Sequence, residues 1–187
     1  QEANIIDMVR PITKYAVMID DVTKLPMELE KAYQIAVSGR KGPVLLDITM
    51  NVQRELLENN LSFNKSSVDV VENKIDYVDL LLALNNAKRP LVLVGGGVVS
   101  SGVEKLLHEF LLKTQVPYVS SLQGKSACNE YAESYIGTIG SYGNRCANMA
   151  VSNADFLLVL GSRLDVRQTG GIIDSFAPHA KIFHVDI

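Results

Sequence analysis

Two arginines flank one aspartate in Gly161-Ser162-Arg163-Leu164-Asp165-Val166-Arg167-Gln168-Thr169-Gly170, a loop bounded by glycines. Planar guanidinium forks grip phosphate or carboxylate through paired N–H donors. An aspartate between them can orient one fork or accept a ribose hydroxyl. The competing reading is a pair of solvated arginines. The preceding segment favours ligand contact. Phe156–Leu160 (FLLVL) is an apolar run of strand length, and open parallel sheets bind ligands at the carboxyl ends of their strands.

A second candidate is Gly95-Gly96-Gly97, between the apolar run Leu91–Val94 and a helical pattern. Glycines there let a backbone approach a ligand closely and turn amide hydrogens toward phosphates. The spacing departs from the dinucleotide fingerprint G-x-G-x-x-G, because Ser100 stands where the third glycine belongs. A ligand-free strand-to-helix turn and a phosphate loop both remain open from this motif. Asp186, near the end of the last apolar run, sits where an acid can bind a ribose or adenine edge. Ser120-Ser121 suit capping more than ligand contact. His108, His179 and His184 lack metal-ligand spacing, and His184 within KIFHVDI reads as a packed histidine. Cys128 and Cys146 form no C-x-x-C and have no adjacent histidine, so both read as structural.

The elements that must position these residues follow from periodicity. Tyr15–Ile19 and Val44–Ile48 read as strands joined by a helix over Leu25–Ser38, with Leu25, Leu29, Ala32 or Tyr33, and Ala36 as its apolar stripe. Gly39 suits the helix stop, and Arg40 and Lys41 suit its negative end. From Asn51 to about Ile75 periodicity fails and Asn, Ser and Lys accumulate, which predicts a linker. Beyond it the spacing predicts helices over Tyr77–Ala87, Ser101–Thr114 (Val103, Leu106, Leu107, Phe110 and Leu111 on one side) and Asn144–Ser152. Strands are predicted at Leu91–Val94, Val116–Ser120, Phe156–Leu160 and Lys181–Ile187, the last as a buried strand. Strands alternating with helices argue an α/β fold with a doubly wound parallel sheet.

Composition narrows the function classes. The 187 residues are 47% hydrophobic and 21% charged, with net charge −3, which is ordinary for a globular chain. No run of like charges marks a nucleic-acid stripe or a polybasic membrane patch, and no apolar run approaches a membrane span. Neither a nucleic-acid nor a membrane partner is expected. Two cysteines are too few for a disulfide framework and point to a reducing, cytoplasmic setting. At roughly 150 residues per domain the length predicts one domain plus a remainder. With Gln1 at the start and a strand at the end, a piece of a larger protein is expected.

Together these segments resemble the large catalytic subunits of acetolactate synthase and their close thiamine-diphosphate-dependent relatives. The resemblance rests on Arg10-Pro11-Ile12-Thr13-Lys14, Ser38–Asp47, Leu122-Gln123-Gly124, Ala147–Asp155 and Leu160–Arg167, with Phe176-Ala177-Pro178 and Ile182–Ile187. It implies residues 1–50 as the C-terminal part of a pyrimidine-binding domain, 51–75 as a linker, and 76–187 as a C-terminally truncated central domain. That domain is FAD-binding-like, with a six-stranded parallel sheet. The implied activity is decarboxylation of a 2-keto acid such as pyruvate and condensation with a second 2-keto acid. Thiamine diphosphate and Mg2+ would serve the full-length homodimer or homotetramer.

Carried over by position, the implied FAD contacts are Arg10, Gly95, Gly96, Gly97, Ser121, Leu122, Gly161, Ser162, Arg163, Asp165, Arg167, Asp186 and Ile187. Arg167 also resembles an arginine near the second 2-keto acid. No catalytic or metal-binding residue is implied within this stretch. The catalytic glutamate would lie upstream, and the Gly-Asp-Gly diphosphate signature downstream, so the chain alone is expected to be inactive. Ser141-Tyr142 stands where the family usually has Met-His, and Val166 where it has a second acid. These departures keep open a related enzyme with another substrate, or a nucleotide-binding or structural module without chemistry of its own.

Overall fold

Short runs of β-branched residues and leucine, bounded by Gly, Pro and Asn, form the strands of two separate parallel sheets. The computed structural model describes residues 3–57 and 77–187, and the chain divides into two units, 1–73 and 74–187. Among the described residues no helix is long and apolar enough to cross a membrane.

In the first unit, α1 (Ile5–Val9) is capped by the Asn4 side chain, which accepts the Asp7 N–H. β1 (Tyr15–Ile19) pairs in parallel with β2 (Val44–Ile48), in register from Tyr15 opposite Val44 to Ile19 opposite Ile48. Parallel neighbours need a crossover, and α2 (Leu25–Val37) supplies it. Its inward face differs from the expected stripe. Ala32 is buried, whereas Leu29 and Tyr33 are exposed. The Tyr15 hydroxyl, donated to Glu28 Oε2 at 2.5 Å, turns the Glu28–Ala32 side of the helix toward β1. The cation at the end of α2 also differs from expectation. Lys14, rather than Arg40 or Lys41, donates to the carbonyls of Ile35 (2.5 Å) and Ser38 (2.7 Å). Gly39 takes the left-handed stop conformation, with φ +47°. At the start of the expected linker, Val52–Arg54 forms a 3-10 turn with Val52 buried. The rest of that stretch from residue 58 lies outside the described residues.

Among the described residues the second unit is built on a five-stranded parallel sheet in the order β5-β4-β3-β6-β7, where the resemblance implies six strands. The strands are β3 (Pro90–Val94), β4 (Tyr118–Ser120), β5 (Tyr135–Thr138), β6 (Phe156–Leu160) and β7 (Lys181–Val185). Alternation along the central strands sends side chains into two cores. Leu91, Leu93, Leu157 and Val159 pack with Val119 under α6 (Arg145–Asn153), against Ala147, Val151 and Ala154. Val92, Val94, Phe156 and Leu158 pack on the opposite face. There they meet α3 (Tyr77–Asn86), α4 (Gly96–Ser101) and α5 (Glu104–Thr114) through Leu80, Leu84, Val98, Leu107 and Leu111. Helices on both faces make the sheet doubly wound.

Three expectations are corrected here. The single helix over Ser101–Thr114 is two helices, broken at Gly102, which sits at φ +72° where L side chains are strained. Leu106 points outward, 64% exposed, because Leu107 and Leu111 occupy the inward row. β7 is the sheet's edge among the described residues, and all of its residues but Phe183 are exposed, so it is not the buried strand its composition predicts.

Candidate functional site

The carboxyl ends of β3 and β6 lie side by side at the centre of the sheet. From β3 the chain continues to β4 on one side, and from β6 to β7 on the other. Two adjacent strands whose connections leave in opposite directions form a topological switch point, where open parallel sheets hold their ligands.

Glycines allow the two turns to touch there. Gly95 donates its N–H to the Leu160 carbonyl at 2.7 Å, and Gly97 to the Gly161 carbonyl at 2.8 Å. A Cβ on Gly95 would lie 2.1 Å from the Gly161 oxygen, and one on Gly97 would lie 2.6 Å from the Gly161 Cα. Gly161, at φ +61°, would meet Gly97 Cα at 2.7 Å. Backbone-on-backbone packing therefore accounts for the glycine run. The amides of Gly95 and Gly97 are committed to β6 and the turn after it, and Gly96 opens α4. Next to β3, Ser121 donates its N–H to the Val94 carbonyl at 2.8 Å. Its hydroxyl oxygen accepts the Gly124 N–H at 3.1 Å, so it caps the turn after β4. Leu122 beside it is 67% exposed.

The arginine turn follows β6 and leads into α7 (Val166–Thr169). Asp165 Oδ1 accepts the Arg167 N–H at 2.9 Å and so caps α7, while Oδ2 lies 3.3 Å from Arg163 Nη2. The Arg163 side chain is 67% exposed. Ser162 is buried, and its hydroxyl donates to Gln168 Oε1 at 2.6 Å. The Arg167 carbonyl accepts both the Ser141 N–H (2.9 Å) and the Ser141 hydroxyl (3.2 Å). Beside α7, Gly140, Ser141, Asn148, Arg167, Gln168 and Phe176 line a cavity of about 290 Å³ with a mixed polar and apolar wall that carries one cation. On β6's other side, Asp186 and Ile187 follow β7. Asp186 Oδ1 accepts the Ile187 N–H at 2.9 Å, and Ile187 is 85% exposed.

Residues 78–187 match the family described as "Thiamine pyrophosphate enzyme, central domain". The chain belongs to this family. It is 36% identical over 197 residues to the mitochondrial acetolactate synthase of Schizosaccharomyces pombe, covering 97% of this chain and 29% of that protein. It is 33% identical over 189 residues to the acetolactate synthase isozyme 2 large subunit of Escherichia coli, covering 100% and 34%. It is 34% identical over 193 residues to the chloroplastic acetolactate synthase 2 of Nicotiana tabacum, covering 100% and 29%. The chain thus spans about a third or less of the length of these relatives.

Within this thiamine pyrophosphate enzyme central domain, the sheet brings together Gly95, Gly96, Gly97, Ser121, Leu122, Gly161, Ser162, Arg163, Asp165, Arg167, Asp186 and Ile187 at one end. Arg10 belongs to the first unit, where it pairs with Asp7 at 3.1 Å. The family departures are surface positions: Tyr142 is 88% exposed and Val166 66% exposed. Sequence reasoning missed Gln168 and Asn148, whose partners, the Ser162 hydroxyl and the Gly140 backbone, are brought in by the fold. It misread His184, which is exposed rather than packed and lies 2.7 Å from the Ser162 carbonyl oxygen.

Three titratable groups of the central domain are perturbed by their surroundings, and burial raises the first of them, the Tyr118 phenol. Burial pushes the Cys128 thiol up to about 12, and Glu130 adds to the shift. That fits the structural role expected of it. Partial burial raises the Asp155 carboxyl, but N–H bonds from Lys88 and Arg89, both 2.9 Å, outweigh it and hold the group below its ordinary value. Among the described residues no group of three or more His, Cys, Asp or Glu is placed to hold a metal ion.

Proposed function

We propose that the parent protein is a thiamine-diphosphate-dependent 2-keto acid carboligase similar to acetolactate synthase. In this reading, residues 76–187 are its flavin-holding central domain, 1–50 the end of a pyrimidine-binding domain, and 51–75 the linker. The carrying observation is the Arg163–Asp165–Arg167 turn at the switch point of a family-matched sheet. Its donor set fits FAD. The exposed guanidiniums of Arg163 and Arg167 suit the diphosphate, and the flush glycine turns leave no side chain between ligand and backbone. Ser121 and Leu122 border the ligand, and Asp186 and Ile187 take the adenosine end. Asp165 acts by holding Arg163 and capping the helix that carries Arg167.

Thiamine diphosphate with Mg2+ supplies the electron sink for decarboxylation when bound. We assign those groups to other parts of the parent protein. Arg167, lining the cavity with Ser141 and Gln168, would orient the carboxylate of the second 2-keto acid. The parent is read as a homodimer or homotetramer. Its compartment is read as reducing, in keeping with free Cys128 and Cys146, and the cytoplasm is our assignment.

A second reading, a related carboligase with a different substrate, is favoured by Ser141, Tyr142 and Val166. Two measurements test these readings. Full-length parent protein titrated with FAD should lose about tenfold or more in affinity on Arg163→Ala, the scale of one charge-assisted contact. An unchanged affinity defeats the site assignment. Carboligation by the parent with pyruvate alone separates the two substrate readings, and the 187-residue chain by itself is expected to turn over neither.

A further inference from the structure

We propose that His184 is a positioning residue for the flavin site, an inference that rests on the flavin assignment above. His184 lies on the edge strand β7, yet its Nε2 is 2.7 Å from the carbonyl oxygen of buried Ser162, in the turn after β6. A carbonyl oxygen only accepts, so Nε2 carries the hydrogen and donates it.

The turn needs such a tether. Gly161 and Leu164 both hold positive φ, +61° and +55°, and a leucine keeps that conformation only where its surroundings over-determine it. β7 supplies two fixings. The Gly161 N–H donates to the Val185 carbonyl at 2.8 Å, and the next residue receives the imidazole. From Ser162 the hydroxyl bond to Gln168 carries the constraint into α7, which bears Arg167. In the other direction, His184 Nε2 lies 3.9 Å from Asp186 Oδ2. One imidazole thus ties β7, which leads to Asp186, to the turn that leads to the guanidiniums assigned to the diphosphate.

The test uses full-length parent protein, FAD as the probe, and variants at position 184. His184→Leu keeps bulk and removes the donor, whereas His184→Gln places an amide N–H at similar reach. Fluorescence titration should show FAD affinity falling about tenfold in the leucine variant and returning to within about threefold of wild type in the glutamine variant. Backbone amides of residues 161–169 in flavin-free protein should exchange faster with solvent in the leucine variant only. If the leucine variant fails to fold, His184→Asn, whose amide is too short to reach, takes its place with the same expectation. Unchanged affinity and exchange in the donor-free variant, or no recovery with glutamine, would overturn the proposal. Wild-type protein that binds no FAD would sink the flavin reading, and the exchange comparison would still decide whether His184 fixes the turn.

Discussion

The Asn148 side chain holds Gly140 by both ends of its amide. Its Oδ1 accepts the Gly140 N–H at 2.8 Å, and its Nδ2 donates to the Gly140 carbonyl at 3.1 Å. Gly140 sits at φ +99°, with Arg167's carbonyl oxygen 2.6 Å from where a Cβ would be. Asn148 therefore fixes the wall of the cavity beside α7 from α6. Asn148→Asp keeps the acceptor, loses the donor, and sets a carboxylate against a carbonyl oxygen. Urea denaturation should show a loss of about 1–3 kcal/mol, and Asn148→Ala a loss of the same order.

Gly95 and Gly102 make a matched pair for the two reasons a glycine can be required. Gly95→Ala would drive a methyl into the Gly161 carbonyl, backbone that cannot move without separating β3 from β6. Gly102→Ala meets nothing within 4 Å and suffers only its positive φ. Thermal unfolding should place Gly102→Ala about 1–2 kcal/mol below wild type. Gly95→Ala should fall further, or fail to accumulate as folded protein.

Asp155 ties the loop before β3 to the start of β6, and its carboxyl is held below its ordinary value in the folded chain. A depressed folded value means that its contribution is complete above the unfolded carboxyl value of about 3.9 and is lost as pH falls through the lower, folded value. Denaturation midpoints followed from pH 7 down to about pH 2 should therefore drop in acid, with Asp155→Asn less stable at neutral pH and shallower on the acid side. Parallel slopes for the two proteins would contradict this.

Cys128 and Cys146 should separate under alkylation. Cys146 is exposed, whereas Cys128 is partly covered and its thiol is pushed up to about 12. The thiolate is the reactive form. Iodoacetamide at pH 8 should modify Cys146 first, with Cys128 labelled only as the chain unfolds, as read by peptide mass spectrometry.

Strands were the most legible part of the sequence. Tyr15–Ile19, Val44–Ile48 and Phe156–Leu160 stand in the structure with the bounds their apolar runs predict. The strand Tyr135–Thr138 escaped notice because Gly137, at φ +138°, interrupts its pattern and its pairing comes from β4. The start of α4 escaped for a related reason. Glycine is a poor helix former, so Gly96-Gly97 reads as loop until its packing on Gly161 is known. The arginine turn was legible because it follows a strand, which is local information. Asn148, Gln168 and His184 were not, since their partners are set by crossovers that no spacing rule encodes.

The outer edge of β7 has a practical consequence for anyone handling the isolated chain. Ile182 and Val185 are each 43% exposed, and no described strand pairs with that edge. Such an edge is a template for a strand from another molecule, and Lys181, drawn to Asp79 at 2.6 Å, guards only its first residue. Concentrated preparations of these 187 residues are therefore expected to aggregate edge to edge, and particle sizes measured on them would report stickiness rather than a specific subunit count.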